Sequence, residues 1–91
     1  DRNPNLTLGR DQSCDLIIED RKSSRQHARI ERRGDKYFYV DQSTNGSYVA
    51  IAGERETLLR REEMLLRGTG KISFGASSTD PNADLAEFEH I

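Results

Sequence analysis

The sequence of 91 residues lacks several features that mark common protein classes. It has one cysteine, two prolines and no tryptophan. No apolar run approaches the roughly 18 residues of a membrane-spanning helix, so we expect no membrane partner. A single cysteine, Cys14, excludes an internal disulfide and favours a reducing compartment, which predicts a cytoplasmic location. The length suits one domain over residues 1–91, and an apolar fraction of only 33% predicts a small core.

A strong excess of one charge is also missing. The 14 basic and 16 acidic residues give a net charge of -2, which argues against a general nucleic-acid-binding protein. Two histidines and one cysteine, far apart in the sequence, match no zinc-ligand spacing. No phosphate-binding P-loop pattern occurs either. We therefore expect no bound metal and no other cofactor.

Catalysis is not expected from the residue pattern. Ser24, His27 and Asp41 are the types that form a nucleophilic triad. A triad also needs an oxyanion hole and a nucleophile held on a sharp turn, and no strand–serine–helix pattern surrounds Ser24. The sequence predicts that the protein is not an enzyme and has no catalytic residues.

Short apolar or alternating segments indicate an all-β protein. They are separated by polar turns at intervals of about 8–12 residues, which is typical of a sandwich or barrel. Alternation is clearest where Ala28 and Ile30 would face one side and Arg29 and Glu31 the other. The predicted strands are Leu6–Arg10, Asp15–Glu19, His27–Arg32, Lys36–Val40, Ser47–Ile51, Lys71–Gly75 and Leu85–Ile91.

The segment Glu54–Arg67 allows two interpretations. As a helix, it would place Leu58 and Leu65 one heptad apart among glutamates and arginines. As a strand, it would alternate Met64 and Leu66 on one face. Local propensity does not decide between the two, whereas the surrounding segments are all β.

Three polar loops between predicted strands carry residues suited to an anion: Gly9–Arg10, Ser23–His27 and Ser43–Gly46. Loops at one end of a sandwich converge, so we expect these side chains to lie together. An arginine fork suits bidentate contact with phosphate, and hydroxyl and amide groups add neutral donors. The set has no carboxylate that would repel an anion. The second loop lies in a locally basic segment with Arg21, Lys22, Arg25, Arg29, Arg32 and Arg33 against Glu31.

Five motifs, in order along the chain, resemble the forkhead-associated (FHA) domain. They are Leu8–Arg10, Cys14–Ile18, Ser24–Ile30, Asp41–Ser47 and Gly70–Gly75, and the resemblance covers about residues 6–75. It implies a β-sandwich of two mainly antiparallel sheets with ligand-binding loops at one end. It also implies a signalling module that recognises phosphothreonine in another protein or in the same polypeptide.

The resemblance also implies roles for individual residues. Arg10 would contact the phosphate, and Ser24 would donate its hydroxyl to it. Arg25 would add a contact from its backbone or its side chain. Thr44 and Asn45 would lie beside the phosphothreonine, with Asn45 fixing the peptide main chain. The family's architectural positions, which shape the loops, are Gly9, His27 and Gly46.

Two departures from the FHA pattern bear on the surroundings of the domain. The family usually has a strand or two before the Leu8–Arg10 motif, so residues 1–91 are expected to be a piece of a larger protein, either cut after its first strand or naturally shortened. An unpaired sheet edge predicts weak homo-oligomerisation. The charged segment Glu54–Arg67 resembles FHA domains attached to bacterial nucleotide cyclases. Because a fold does not fix a function, a phosphate-independent interaction or assembly module is the alternative.

Overall fold

The computed structural model describes residues 5–19, 21–81 and 83–89, which form nine strands and no helix. The all-β prediction is confirmed. The strand expected at Leu85–Ile91 ends at Phe88, and positions 90 and 91 lie outside the described residues. No helix in these ranges could cross a membrane. The strands are β1 (Asn5–Gly9), β2 (Leu16–Ile17), β3 (Ala28–Arg33), β4 (Lys36–Asp41), β5 (Ser47–Ile51), β6 (Thr57–Leu59), β7 (Glu63–Leu66), β8 (Gly70–Phe74) and β9 (Asp84–Phe88).

Two sheets form a sandwich, as predicted. The first sheet has the order β2-β1-β3-β4-β7, and the second has the order β6-β5-β8-β9. Every neighbouring pair is antiparallel except β1 and β2, which run parallel with Leu8 opposite Leu16. The chain crosses between the sheets after β4, so β4 and β5 are consecutive in sequence but are not paired.

The ambiguous segment Glu54–Arg67 is not a helix; it contains β6 and β7. Leu59 pairs with Ser47 of β5, whereas Leu66 pairs with Tyr37 of β4, so the segment contributes one strand to each sheet. Both leucines are buried between the sheets. In a helix the two leucines would lie on the same face of one element and could not each join a different sheet. Pairing with both sheets therefore outweighs the local helix propensity.

The core lies between the two inner faces of the sandwich. Tyr39 and Phe74 are its largest fully buried side chains. The buried cluster comprises Leu8, Ile18, Ala28, Tyr39, Val49, Ile51, Leu59, Leu66, Ile72, Phe74 and Phe88.

Five connections begin at one end of the sandwich, which we call the loop end. They are the connections β1–β2, β2–β3, β4–β5, β6–β7 and β8–β9, which follow the ends of β1, β2, β4, β6 and β8. Asn5 and Phe88 lie at the other end, because Asn5 pairs with Glu31 and Phe88 with Gly70.

Candidate functional site

Backbone hydrogen bonds join the first and second polar loops at the loop end. Arg10 N donates to Ser24 O over 3.1 Å, and Asp11 N donates to Arg25 O over 3.2 Å. Arg10 Nε also donates to Ser23 O over 2.6 Å, which fixes the root of the guanidinium. Arg10 is exposed, so its two terminal nitrogens face solvent. They remain available to donate a pair of hydrogen bonds to one ligand.

Gly9 allows this contact because the two backbones approach very closely. A Cβ at residue 9 would lie 1.9 Å from Arg25 O and 3.0 Å from His27 N. Both neighbours are main-chain atoms, which cannot rotate away as a side chain can. Glycine at the end of β1 therefore sets the position of Arg10 relative to the second loop.

The buried ring of His27 connects the second loop to the third. Its Nδ1 accepts the Ser24 N–H over 3.0 Å, which leaves the ring proton on Nε2. Nε2 then donates to Gly46 O over 3.1 Å and lies 2.9 Å from Ser47 Oγ. The His27 ring thus holds the second and third loops together.

The third loop closes against the second through Thr44 and Asn45. Thr44 N donates to Ser24 Oγ over 3.1 Å, and Asn45 Nδ2 donates to Lys22 O over 2.8 Å. Because Ser24 Oγ is already an acceptor, its own proton can be donated to a ligand. Gly46 has φ +93°, and the Asn45–Gly46 turn joins the two sheets without closing a hairpin.

A buried carboxylate, Asp41, organises the floor of the site. Its Oδ1 accepts from Ser43 N and from Arg61 N, both over 2.9 Å, and its Oδ2 accepts from Ser47 Oγ. His27 Nε2 lies 3.8 Å from Oδ2. Asp41 was expected to be the first residue of the Asp41–Ser47 motif, without a role of its own in the loops. The signal for its structural role is the Asp–x–Ser spacing of a turn in which the aspartate side chain accepts from the backbone two residues on.

No triad forms from Ser24, His27 and Asp41. Ser24 bonds to the His27 ring through its backbone nitrogen, and its hydroxyl bonds to Thr44 N instead. The imidazole therefore takes no proton from the Ser24 hydroxyl, as a general base would have to do. No group of three or more histidine, cysteine or acidic residues at the described positions could hold a metal ion.

A cavity of about 400 Å³ opens beside Arg10 and is lined by Arg10, Asp11, Gln12 and Arg25. The expectation that the loops bring no carboxylate close is wrong, because Asp11 lies in this wall. Hydrogen bonds from Ser13 lower the pKa of Asp11, and the charge of Arg25 lowers it further. Asp11 is therefore ionised at neutral pH and offsets part of the positive charge of the cavity.

The basic segment around the second loop divides into two parts. Arg29 and Arg33 form ion pairs with Glu31, and Arg33 also pairs with Glu63. Hydrogen bonds from Arg29 and Arg33 lower the pKa of Glu31. These pairs lie on the outer face of the first sheet, so the expected basic field is reduced there. Arg21, Lys22 and Arg25 remain in the loop itself.

The structure therefore brings all the predicted site positions together. The members at the loop end are Gly9, Arg10, Ser24, Arg25, His27, Thr44, Asn45 and Gly46. What the sequence missed is the pair of acidic residues, Asp11 in the cavity wall and Asp41 beneath the loops.

Comparison with known proteins places these features in context. The family model of the FHA domain matches residues 6–75. No curated protein matches the sequence. Among solved structures, the N-terminal FHA domain of S. cerevisiae Rad53p, in complex with a phosphothreonine peptide, superposes with a TM-score of 0.70 at 21% identity. The alignment covers 99% of this chain and 73% of that one.

Two bacterial structures are similar to the same extent. The FHA domain of CT664 from Chlamydia trachomatis has a TM-score of 0.68 and 21% identity over 100% of this chain and 81% of that one. FHA-1 of Mycobacterium tuberculosis Rv1747 has a TM-score of 0.67 and 18% identity over 96% and 79%. At these identities the superpositions establish the fold.

Proposed function

The chain belongs to the FHA domain family, and from this premise we propose that it recognises phosphothreonine in a protein or peptide partner. The observation that carries the proposal is the meeting of two donors at the loop end. The Arg10 guanidinium is fixed at Nε, and the Ser24 hydroxyl is oriented by the Thr44 N–H. The solved Rad53p domain that this chain resembles holds a phosphothreonine peptide.

The geometry accounts for phosphate binding through charge-assisted hydrogen bonds. A phosphothreonine carries about -1.5 to -2 charges at pH 7. The terminal nitrogens of Arg10 supply a bidentate contact, and Ser24 adds a short O–H donor. Arg25 adds positive charge to the cavity, which Asp11 partly offsets. The loops are already bonded to one another, so binding orders little new structure.

Asn45 supplies the contact to the peptide main chain. One proton of its amide is used on Lys22 O, and that bond holds the side chain in place. The amide oxygen and the second N–H then remain to bond an extended peptide. Thr44, exposed beside Ser24, forms the adjoining part of the surface.

The experiment that tests this function is a titration by fluorescence anisotropy. A degenerate phosphothreonine peptide pool is compared with phosphoserine and unphosphorylated pools. We expect affinity of about micromolar order for the phosphothreonine pool alone. Arg10→Ala should weaken binding by about 2–3 kcal/mol, or roughly 30- to 150-fold, since it removes a charge-assisted bidentate contact.

Arg55→Ala is the matched control, because Arg55 is an exposed arginine in the β5–β6 connection, away from the loop end. It should leave affinity unchanged. Equal affinity for the three pools, or an Arg10→Ala variant that binds as tightly as the original chain, would contradict phosphothreonine recognition at this site.

A phosphate-independent interaction is the second candidate, and the open sheet edges favour it. Leu16 and Ile17 on β2 and Leu85 on β9 are 40%, 43% and 46% exposed, and β2 and β9 are edge strands. Such edges can pair with a second chain, so we propose weak homo-oligomerisation there. Sedimentation across a concentration series tests it: Leu85→Lys should abolish self-association, whereas phosphatase treatment and Arg10→Ala should not change it.

We also propose the cellular setting: one domain of a larger cytoplasmic signalling protein, without catalytic activity and without nucleic-acid or membrane partners. The balanced charge and the single cysteine support this. Cys14 is buried and donates to Arg25 O, and burial raises the pKa of its thiol, so it is a packing residue. Recovery of the host protein in a membrane or secreted fraction would contradict the location.

A further inference from the structure

We propose that Arg60 and Arg61, in the β6–β7 connection, form a second anion subsite. It would bind an acidic side chain or a second phosphate of the peptide whose phosphothreonine is held at Arg10. The proposal rests on the proposed function, because it concerns the same bound peptide. The subsite adds a preference for negative charge at a second position of that peptide.

The β6–β7 connection lies against the third loop. Leu59 pairs with Ser47, the residue after Gly46. A Cβ built on Gly46 would lie 2.9 Å from Leu59 O and 3.8 Å from Arg60 Nε. The Arg60 guanidinium therefore lies beside the Asn45–Gly46 turn, on the surface that a peptide bonded to Asn45 would pass.

The same connection is tied to the floor of the site. Arg61 N donates to Asp41 Oδ1 over 2.9 Å, and Asp41 N donates to Glu62 O over 2.8 Å. Asp41 also binds Ser43 and Ser47 at the two ends of the third loop. Asp41 is thus bonded both to the third loop and to the backbone of the β6–β7 connection, which carries the two arginines.

The two guanidinium groups are exposed and available. Among the residues that the structure describes, neither Arg60 nor Arg61 forms an ion pair, although Arg33 and Arg67 pair with glutamates elsewhere. Glu62 is the acidic neighbour in the connection, and its Oε1 accepts from the backbone N of Arg60 over 3.4 Å. The positive charge at this place therefore faces solvent.

The backbone at Arg61 gives an independent indication. Arg61 has φ 57°, and the other described residues with positive φ are all glycines. A residue with a Cβ disfavours this conformation, and such outliers concentrate at functional positions. Glycine would adopt this backbone conformation at lower cost. An arginine at this position is explained if its positive charge binds an anion.

An apolar surface adjoins the two arginines. Leu58 is 43% exposed, and its Cδ1 lies 2.8 Å from the position of a Cβ on Gly46. The methylene groups of an aspartate or glutamate can pack there while the carboxylate reaches Arg60. A solvent-exposed charge pair of this kind should change affinity by roughly two- to fivefold, and a dianionic phosphate by more.

The test uses phosphothreonine peptides in which one flanking position at a time carries Asn, Asp or phosphoserine. Dissociation constants are measured for the original chain, for the double variant Arg60→Gln/Arg61→Gly and for Arg55→Gln. We expect one position at which Asp binds roughly two- to fivefold tighter than Asn, with the gain lost in the double variant and kept in Arg55→Gln. Glycine suits the backbone at residue 61, so thermal unfolding should show the double variant folded.

An acidic preference that persists in the double variant, or no such preference in a chain that binds phosphothreonine through Arg10, overturns the subsite and leaves the proposed function standing. No phosphothreonine binding at all removes both. A larger gain for phosphoserine than for Asp assigns the subsite to a second phosphate, and equal gains assign it to an acidic side chain.

Discussion

Replacing Gly9 with alanine tests whether the close contact between β1 and the second loop shapes the site. The new Cβ would lie 1.9 Å from Arg25 O, where carbon and oxygen in contact need about 3.3 Å. The two backbones must therefore separate by about 1 Å or more, which weakens the Arg10 N–Ser24 O and His27 N–Leu8 O bonds. Overpacking costs about 1–3 kcal/mol, and the two bonds, each worth about 1 kcal/mol, are weakened without being lost, so we expect a total loss of about 2–3 kcal/mol.

In a domain of this size that loss lowers the melting temperature by roughly 10–20 °C, measurable by circular dichroism. Affinity for phosphothreonine, measured below the transition, should also fall, because Ser24 moves relative to Arg10. Gly34→Ala is the control: Gly34 has φ +68° and open space around it, so alanine there adds only backbone strain of about 1–2 kcal/mol. A Gly9→Ala variant that melts no lower than Gly34→Ala and binds normally would refute the reasoning.

Three further measurements examine the charges and the buried network. Asp11→Asn should raise phosphopeptide affinity roughly twofold in an anisotropy titration, since it removes a negative charge from the cavity wall; unchanged affinity would mean that Asp11 does not face the ligand. Binding at pH 5 should be several-fold weaker than at pH 7.5, because the phosphate takes up its second proton near about pH 6. Asp11 has a lowered pKa and stays ionised across that interval, so equal affinities would contradict a dianionic ligand. Tyr39→Phe removes the buried hydroxyl that bonds Ser47 Oγ over 2.7 Å and should lower the free energy of unfolding in urea by about 1 kcal/mol; an unchanged midpoint would show that this bond adds nothing.

Most of the fold could be predicted because its signals are local. Alternation over residues such as Ala28–Arg33 identifies a strand without knowledge of its partners. A sandwich predicts that its connections gather at its ends. The resemblance to the FHA domain implied that the loops with Arg10, Ser24 and Asn45 share one end.

What the sequence did not reveal depends on contacts between distant segments. Helix and strand were equally compatible with Glu54–Arg67, and only pairing with β4 and β5 selects strands. Asp11 lines the cavity together with Arg25, and the bond from Asp11 N to Arg25 O joins these two segments across 14 positions of the chain. Arg60 reaches the third loop through the pairing of Leu59 with Ser47, which lies twelve positions earlier in the chain.

The placement of Asn5 and Phe88 away from the loop end constrains how the domain can act within one polypeptide. A flanking segment attached at Asn5 starts five residues from Arg10 along β1, and one attached at Phe88 starts at the same end of the sandwich. A strand rises about 3.3 Å per residue, so Asn5 and Arg10 are roughly 17 Å apart, and a flanking phosphothreonine nearer than about five residues could not reach Arg10. A phosphothreonine that lies close to the domain in the sequence therefore cannot bind in the same chain. One on a longer tether can, and its high effective concentration favours intramolecular binding.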